Sequence, residues 1–199
     1  MGKRRSQALS WGFLQHGPKS ATVRAVKKTV DYRWFKVKWL PKYGWIVERS
    51  SAVVVVPIAE DGRVWLAKMH RTPTDSTSWE LPGGGAERGE DVVTAGLREL
   101  EEECGLVASR GGRLHTVLEL APGMGRFPHH VVVAQGVKPK GRRAVPQVEE
   151  SISAVKSFDQ AQVQRMIVKG TVSVGATLAA LVACGWLSAA PPRSRRTTA

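Results

Sequence analysis

A chain of 199 residues, 42% of them hydrophobic, is long enough for one domain with a substantial core and a small appendage. Two cysteines, Cys104 and Cys184, exclude a disulfide framework and point to a reducing, cytoplasmic setting. A formal charge of +13 favours anionic partners, small nucleotides ahead of nucleic acid, because much of the excess lies in solvated runs near the ends (Lys3-Arg4-Arg5; Arg193, Arg195 and Arg196).

Residues 1–20 read as a basic arm without regular structure; they lack the apolar run of a signal peptide. Residues 21–48 then take on a strand pattern, broken by a Pro-Lys-Tyr-Gly turn at 41–44 and loaded with Tyr32, Trp34, Val37, Trp39 and Trp45. These aromatics either pack within a small sheet or a dimer interface, or stack a nucleobase, with Trp34 as the candidate contact. A domain over residues 49–190 follows. It opens with the buried-strand run Ala52-Val-Val-Val-Val-Pro-Ile58, a turn at 60–63, and a second strand from Val64 to Met69, together a hairpin. Arg71 and a polar loop from Thr72 to Ser78 lead into Trp79-Glu80-Leu81-Pro82.

The chemistry is concentrated next. Gly83-Gly84-Gly85 lacks side chains, so its backbone can approach a ligand closely. From Asp91 to Cys104 a helical period puts Val93, Leu97, Leu100 and Cys104 on an apolar stripe, with Gly105 as the C-terminal stop. Glu99, Glu102 and Glu103, at i, i+3 and i+4, share a patch away from that stripe, and Glu101 points elsewhere. Crowded carboxylates repel, so this patch suits hard-oxygen ligation of Mg²⁺ or Mn²⁺, with Arg98 orienting one of them. A glycine loop feeding an acidic helix points to metal-bridged phosphates.

Beyond the helix, strands are expected over Leu114–Leu120, Val131–Gln135 and Ser151–Phe158, and a helix over Asp159–Val168. The loop from Ala121 to His130 carries no acid; its base candidates are His129 and His130, of which strand alternation lets only one face a site. Glu149 and Glu150 stand just before the strand that begins at Ser151, and the basic stretch from Lys138 to Arg143 reads as an exposed loop. The uncharged run from Thr171 to Ala190 is rich in Ala, Gly, Ser and Thr, which favours a helix packed on the sheet over a membrane span. Residues 191–199 read as a tail without structure.

The spacing Gly84-x5-Glu90-x7-Arg98-Glu99-Leu100-x-Glu102-Glu103-x-Gly105-Leu106 resembles the Nudix box at every defined position. With WELPGG and Pro122, the chain is most similar to the ADP-ribose pyrophosphatase and nucleoside-diphosphate-sugar hydrolase subfamily. The resemblance implies an α/β/α sandwich with a mixed central sheet and an N-terminal β-rich arm that builds a homodimer and contacts the nucleoside. It implies a Mg²⁺-dependent pyrophosphatase that splits a nucleotide sugar such as ADP-ribose into a nucleoside monophosphate and a sugar phosphate. Glu99 and Glu103 would hold the metal, helped by Glu102 and the carbonyl of Gly83. Arg71 would clamp phosphate, Arg98 would keep the glutamates in register, and Gly84 would lie against substrate. Glu80 is either a core-edge hydrogen-bonder or a nucleoside contact. The water-activating base stays open between Glu102, Glu149 or Glu150, and a histidine. Two other readings compete: hydrolysis of 5′-capped or triphosphorylated RNA, and a Nudix-fold nucleotide or RNA sensor with little turnover.

Overall fold

The computed structural model of the chain describes residues 29–31, 35–142, 144 and 151–188. Strands β1 (Thr29–Asp31), β2 (Phe35–Leu40), β3 (Gly44–Arg49), β4 (Ala52–Ile58), β5 (Val64–Arg71) and β6 (Ser76–Glu80) precede helix α1 (Val92–Cys104). After it come β7 (Leu106–Ala108), β8 (Gly112–Glu119), β9 (Gly125–Arg126), β10 (Pro128–Gln135), β11 (Val137–Pro139) and β12 (Ile152–Phe158), then α2 (Gln160–Val168) and α3 (Gly175–Ala183).

The valine run of β4 reads as continuous because both of its faces are covered. Val53 and Val55 pack with Ala95, Leu100 and Cys104 of α1, whereas Val54 and Val56 pack with Val163 of α2 and with Ala180 and Leu181 of α3. Two cores on opposite faces of one mixed sheet make the expected α/β/α sandwich. The sheet runs β12-β5-β4-β10-β8, with β4 and β10 parallel and β6 joined to β5. The expected β4–β5 hairpin closes only at its mouth, where Ile58 faces Val64. Further along, residues 82–84 insert instead: the Val55 N–H donates to the Pro82 carbonyl (2.9 Å) and the Val53 N–H to that of Gly84 (2.8 Å). The glycine loop is thereby an extra extended segment on β4.

Helix α1 begins where the Asp91 carboxylate accepts the N–H groups of Val93 (3.0 Å) and Thr94 (3.1 Å), and ends at Gly105 with φ 62°. Its buried line differs from the predicted stripe. Ala95, Gly96, Leu100, Glu103 and Cys104 are buried, whereas Val93 and Leu97 are half-buried at the flank. Gly96 explains the shift: a Cβ there would lie 3.0 Å from Val53 Cγ1 and 3.1 Å from Val55 Cγ2, so the bare backbone sets the line of closest approach.

The loop expected over Thr72–Ser78 is a short 3-10 turn that becomes strand at Ser76. The helix expected over the uncharged run is confined to α3. The backbone before it serves β6, since Trp79 N–H donates to the Thr171 carbonyl (2.8 Å) and Ser173 N–H to Ser78 Oγ (3.2 Å). Among the described residues no helix is long and apolar enough to cross a membrane. The N-terminal strands form a separate sheet, β1-β2-β3-β9, in which β9 comes from the loop between β8 and β10 and runs parallel to β3.

Candidate active site

Glu99 and Glu103 lie one turn apart on α1 and both turn to the glycine loop. The Gly83 N–H donates to Glu103 Oε2 (2.9 Å), and Glu103 is only 5% exposed. A Cβ on Gly84 would stand 2.5 Å from Glu99 Oε1, so the absence of a side chain there is what lets this carboxylate lie against the loop. Pro82 and Gly84 give their carbonyls to β4, and between them a Cβ on Gly83 would lie 2.1 Å from the Val53 carbonyl oxygen, so only glycine fits at this close approach. Hard oxygen donors so placed suit Mg²⁺ or Mn²⁺. Glu102 does not join them: its side chain is 51% exposed and it accepts from Arg98 Nη1 (2.8 Å). Among the described residues no three His, Cys, Asp or Glu side chains converge as a group that could hold a metal.

Arg98 is the hub of the acidic patch. Its Nε and Nη2 donate to the two oxygens of Glu90 (3.0 and 3.1 Å), its Nη1 also donates to Glu99 Oε1 (3.1 Å), and Nη2 reaches the Gly85 carbonyl (3.2 Å). These contacts, led by the hydrogen bond to Glu90, hold the guanidinium further above its ordinary range, and the same bond holds the Glu90 carboxyl below its own. Glu101 points away and pairs with Lys140 on the basic stretch after β11. Burial, and then the charge of Glu103, push up the Cys104 thiol.

Arg71 and Glu80 meet each other. Arg71 Nη2 donates to Glu80 Oε2 at 2.7 Å, and Nε is 3.2 Å from the same oxygen. Of the two histidines, the register of β10 with β4 puts His130 beside Val53, on the face α1 covers, and His129 on the other. His129, the base candidate, has its Nδ1 2.8 Å from the Phe127 carbonyl, and the buried Nδ1 of His130 has no hydrogen-bond partner among the described residues. Trp34, Glu149 and Glu150 lie outside the described residues, as do residues 1–20 and 191–199.

A cleft of about 650 Å³ opens where the glycine loop meets the N-terminal sheet, lined by Phe35, Val47, Arg49, Gly85, Met124 and Phe127 with Ser50 and Ser51. Sequence reasoning missed these side chains. Strand alternation back from Trp39 through Val37 would have found Phe35, which the register sets opposite Arg49. Phe127 was hidden in a loop searched for acids. The nearest acid is upstream: Glu119 accepts the Phe127 N–H at 2.9 Å.

Comparison with known proteins agrees with this geometry. An ADP-ribose pyrophosphatase of Bacillus subtilis is 34% identical over 90 residues, 45% of this chain and 48% of that protein. An RNA pyrophosphohydrolase of Caulobacter vibrioides is 45% identical over 56 residues, 28% of this chain and 32% of that protein. The match thus spans about half the length of the first relative and a third of the second. The crystal structure of an ADP compounds hydrolase superposes with a TM-score of 0.61 at 23% identity, covering 79% of this chain and 88% of that one, a likeness of fold. The family model described as NUDIX domain matches residues 47–173, well over half of the sequence and all of the glycine loop and α1, and the chain belongs to that family.

Proposed function

We propose that the chain is a Mg²⁺-dependent pyrophosphohydrolase of nucleoside diphosphates linked to a second moiety, with ADP-ribose or a related nucleotide sugar as substrate. The observation that carries this reading is the turn of Glu99 and Glu103 toward Gly83 and Gly84 at the edge of an aromatic cleft. Glu99, Glu103 and the Gly83 carbonyl would hold the cation, with Glu102 drawn in from Arg98. Bound there, the cation supplies charge neutralisation and Lewis acidity toward the pyrophosphate. The rest falls to the chain's own groups. Phe35 and Phe127 offer stacking surface to a nucleobase, Gly84 lets phosphate approach the loop, and Arg71 offers a guanidinium to it. Arg98 keeps Glu90, Glu99 and Glu102 from repelling one another out of register. The half-exposed Glu102, and Glu149 or Glu150, are the candidates to take the proton of the attacking water; His129 is the weaker one because it sits on the face away from α1.

The B. subtilis relative and the apolar cleft support a nucleotide sugar. The Caulobacter relative supports the second reading, a 5′-triphosphorylated or capped RNA. A product assay with Mg²⁺ and then Mn²⁺ separates them. Release of AMP and ribose 5-phosphate from ADP-ribose, weakly dependent on salt, supports the first; activity confined to RNA and falling steeply with salt supports the second. If no substrate in the panel is cleaved while one binds tightly, the sensor reading replaces both. We also place the chain in a reducing cytoplasm, which its free thiols support, and as a homodimer built on the N-terminal sheet, which the exposed Leu40, Tyr43 and Trp45 support.

A further inference from the structure

A carboxylate buried as deeply as Glu80, 2% exposed, is tolerated only when paired and hydrogen-bonded. Its partner is Arg71, whose side chain is 52% exposed. Arg71 Nη2 lies 2.7 Å from Oε2, Nε lies 3.2 Å from Oε2 and 3.4 Å from Oε1, and Nη2 also contacts Met69 Sδ at 3.3 Å. The pair therefore straddles the boundary of the core: Glu80 is out of reach of any ligand, and Arg71 is not. Glu80 stands opposite Ala67 in the β5–β6 ladder, a residue packed in the core beneath α1, and its own strand runs on through Leu81 and Pro82 into Gly83, which Glu103 engages.

We infer that Glu80 is a positioning residue that orients Arg71, and not itself a contact to the nucleoside. This rests on the reading of Arg71 as a phosphate clamp. Arginine has a long, freely rotating side chain, and its planar fork is useful to a phosphate only in one orientation. Glu80 and Met69 engage Nε and Nη2, so folding constrains the plane of the guanidinium before any ligand arrives. Preorganisation of this kind acts on affinity by removing the ordering cost from the binding step.

Two readouts test it on the full chain. The Nε–H resonance of Arg71 should be ordered and slowly exchanging in the wild type and become mobile in Glu80→Gln; unchanged ordering would overturn the inference with no ligand involved. Calorimetry with α,β-methylene-ADP and Mg²⁺ should show Glu80→Gln binding about three- to tenfold more weakly, the cost of immobilising one long side chain on binding. Arg71→Ala should lose more, and the double variant no more than Arg71→Ala alone. If the losses add, Glu80 acts separately from Arg71 and the inference fails. Should Glu80→Gln not fold, Arg71→Lys keeps the charge and removes the fork; wild-type affinity in that variant would also refute it. A wild type with an ordered Arg71 that ignores the probe would instead overturn the nucleotide reading, with the pair's geometry intact.

Discussion

Glu103→Gln separates the chemical role of the buried carboxylate from its structural one. The amide fills nearly the same space, and its carbonyl can still accept the Gly83 N–H that Glu103 now takes at 2.9 Å. What changes is the strength of that bond. Hydrogen bonds to charged groups contribute about 1.5–3 kcal/mol and neutral ones about 0.5–1.5, so the loss is about 1 kcal/mol. For a chain of this size that is a fall of about 2–4 °C in Tm. Activity should fall far more, by at least about 10²–10³, because a neutral amide neither neutralises a hard cation nor holds it as a carboxylate does. Glu101→Gln is the internal control. It is a carboxylate on the same helix, facing Lys140, and both its Tm and its turnover should match wild type. Differential scanning calorimetry and steady-state hydrolysis of ADP-ribose read the two quantities. Turnover of Glu103→Gln within about threefold of wild type would remove Glu103 from the metal set. A Tm loss well beyond the figure above would show that the carboxylate is there for the fold.

Other outcomes follow from the same contacts. The Glu90 carboxyl is held below its ordinary range by Arg98, so the stability it contributes is present above the unfolded carboxylate pKa and is lost as pH falls through the lower folded value; urea titrations from pH 6 to 3 should therefore show a shallower acid decline in Glu90→Gln than in wild type. Gly96→Leu puts a side chain where even a Cβ is 3.0 Å from Val53, and should cost at least about 2 kcal/mol by overpacking, read by urea unfolding; a stable variant would mean that α1 can ride further from β4 than described. With its thiol pushed up by burial, Cys104 should resist Ellman's reagent at pH 8 until the protein unfolds, whereas modification without unfolding would contradict the packing of α1.

The central layers were readable because each rests on a local signal. A run of valines specifies a strand covered on both faces, Asp91 and Gly105 mark the ends of α1, and the carboxylate spacing places Glu99 and Glu103 one turn apart on the helix. What was not readable depends on long-range pairing. Nothing local in residues 82–84 says that they displace β5 from β4, and nothing in the uncharged run says that residues 171–173 are spent on β6. Helical periodicity put three glutamates on one patch but could not say how deeply each sits: Glu103 is buried and accepts from Gly83, while the more exposed Glu102 accepts from Arg98, which also donates to Glu99. The cleft was the least accessible of all, since its lining comes from β2, β3, the glycine loop and the segment before β10.

Strand β9 has a practical consequence for anyone dividing this chain. Its hold on β3 is close: a Cβ on Gly125 would fall 1.8 Å from the Val47 carbonyl oxygen, and Val47 N–H donates to the Met124 carbonyl at 3.0 Å. Expressing only the family-matched portion, from residue 47, would take away Phe35 outright and leave β9 paired with the last residues of β3 alone, without β2 behind them. The shortened protein would keep its acidic helix and its glycine loop but present them on an open surface. A survey of trimmed versions would then measure a site without its cleft, and any loss of binding or turnover would belong to the cut.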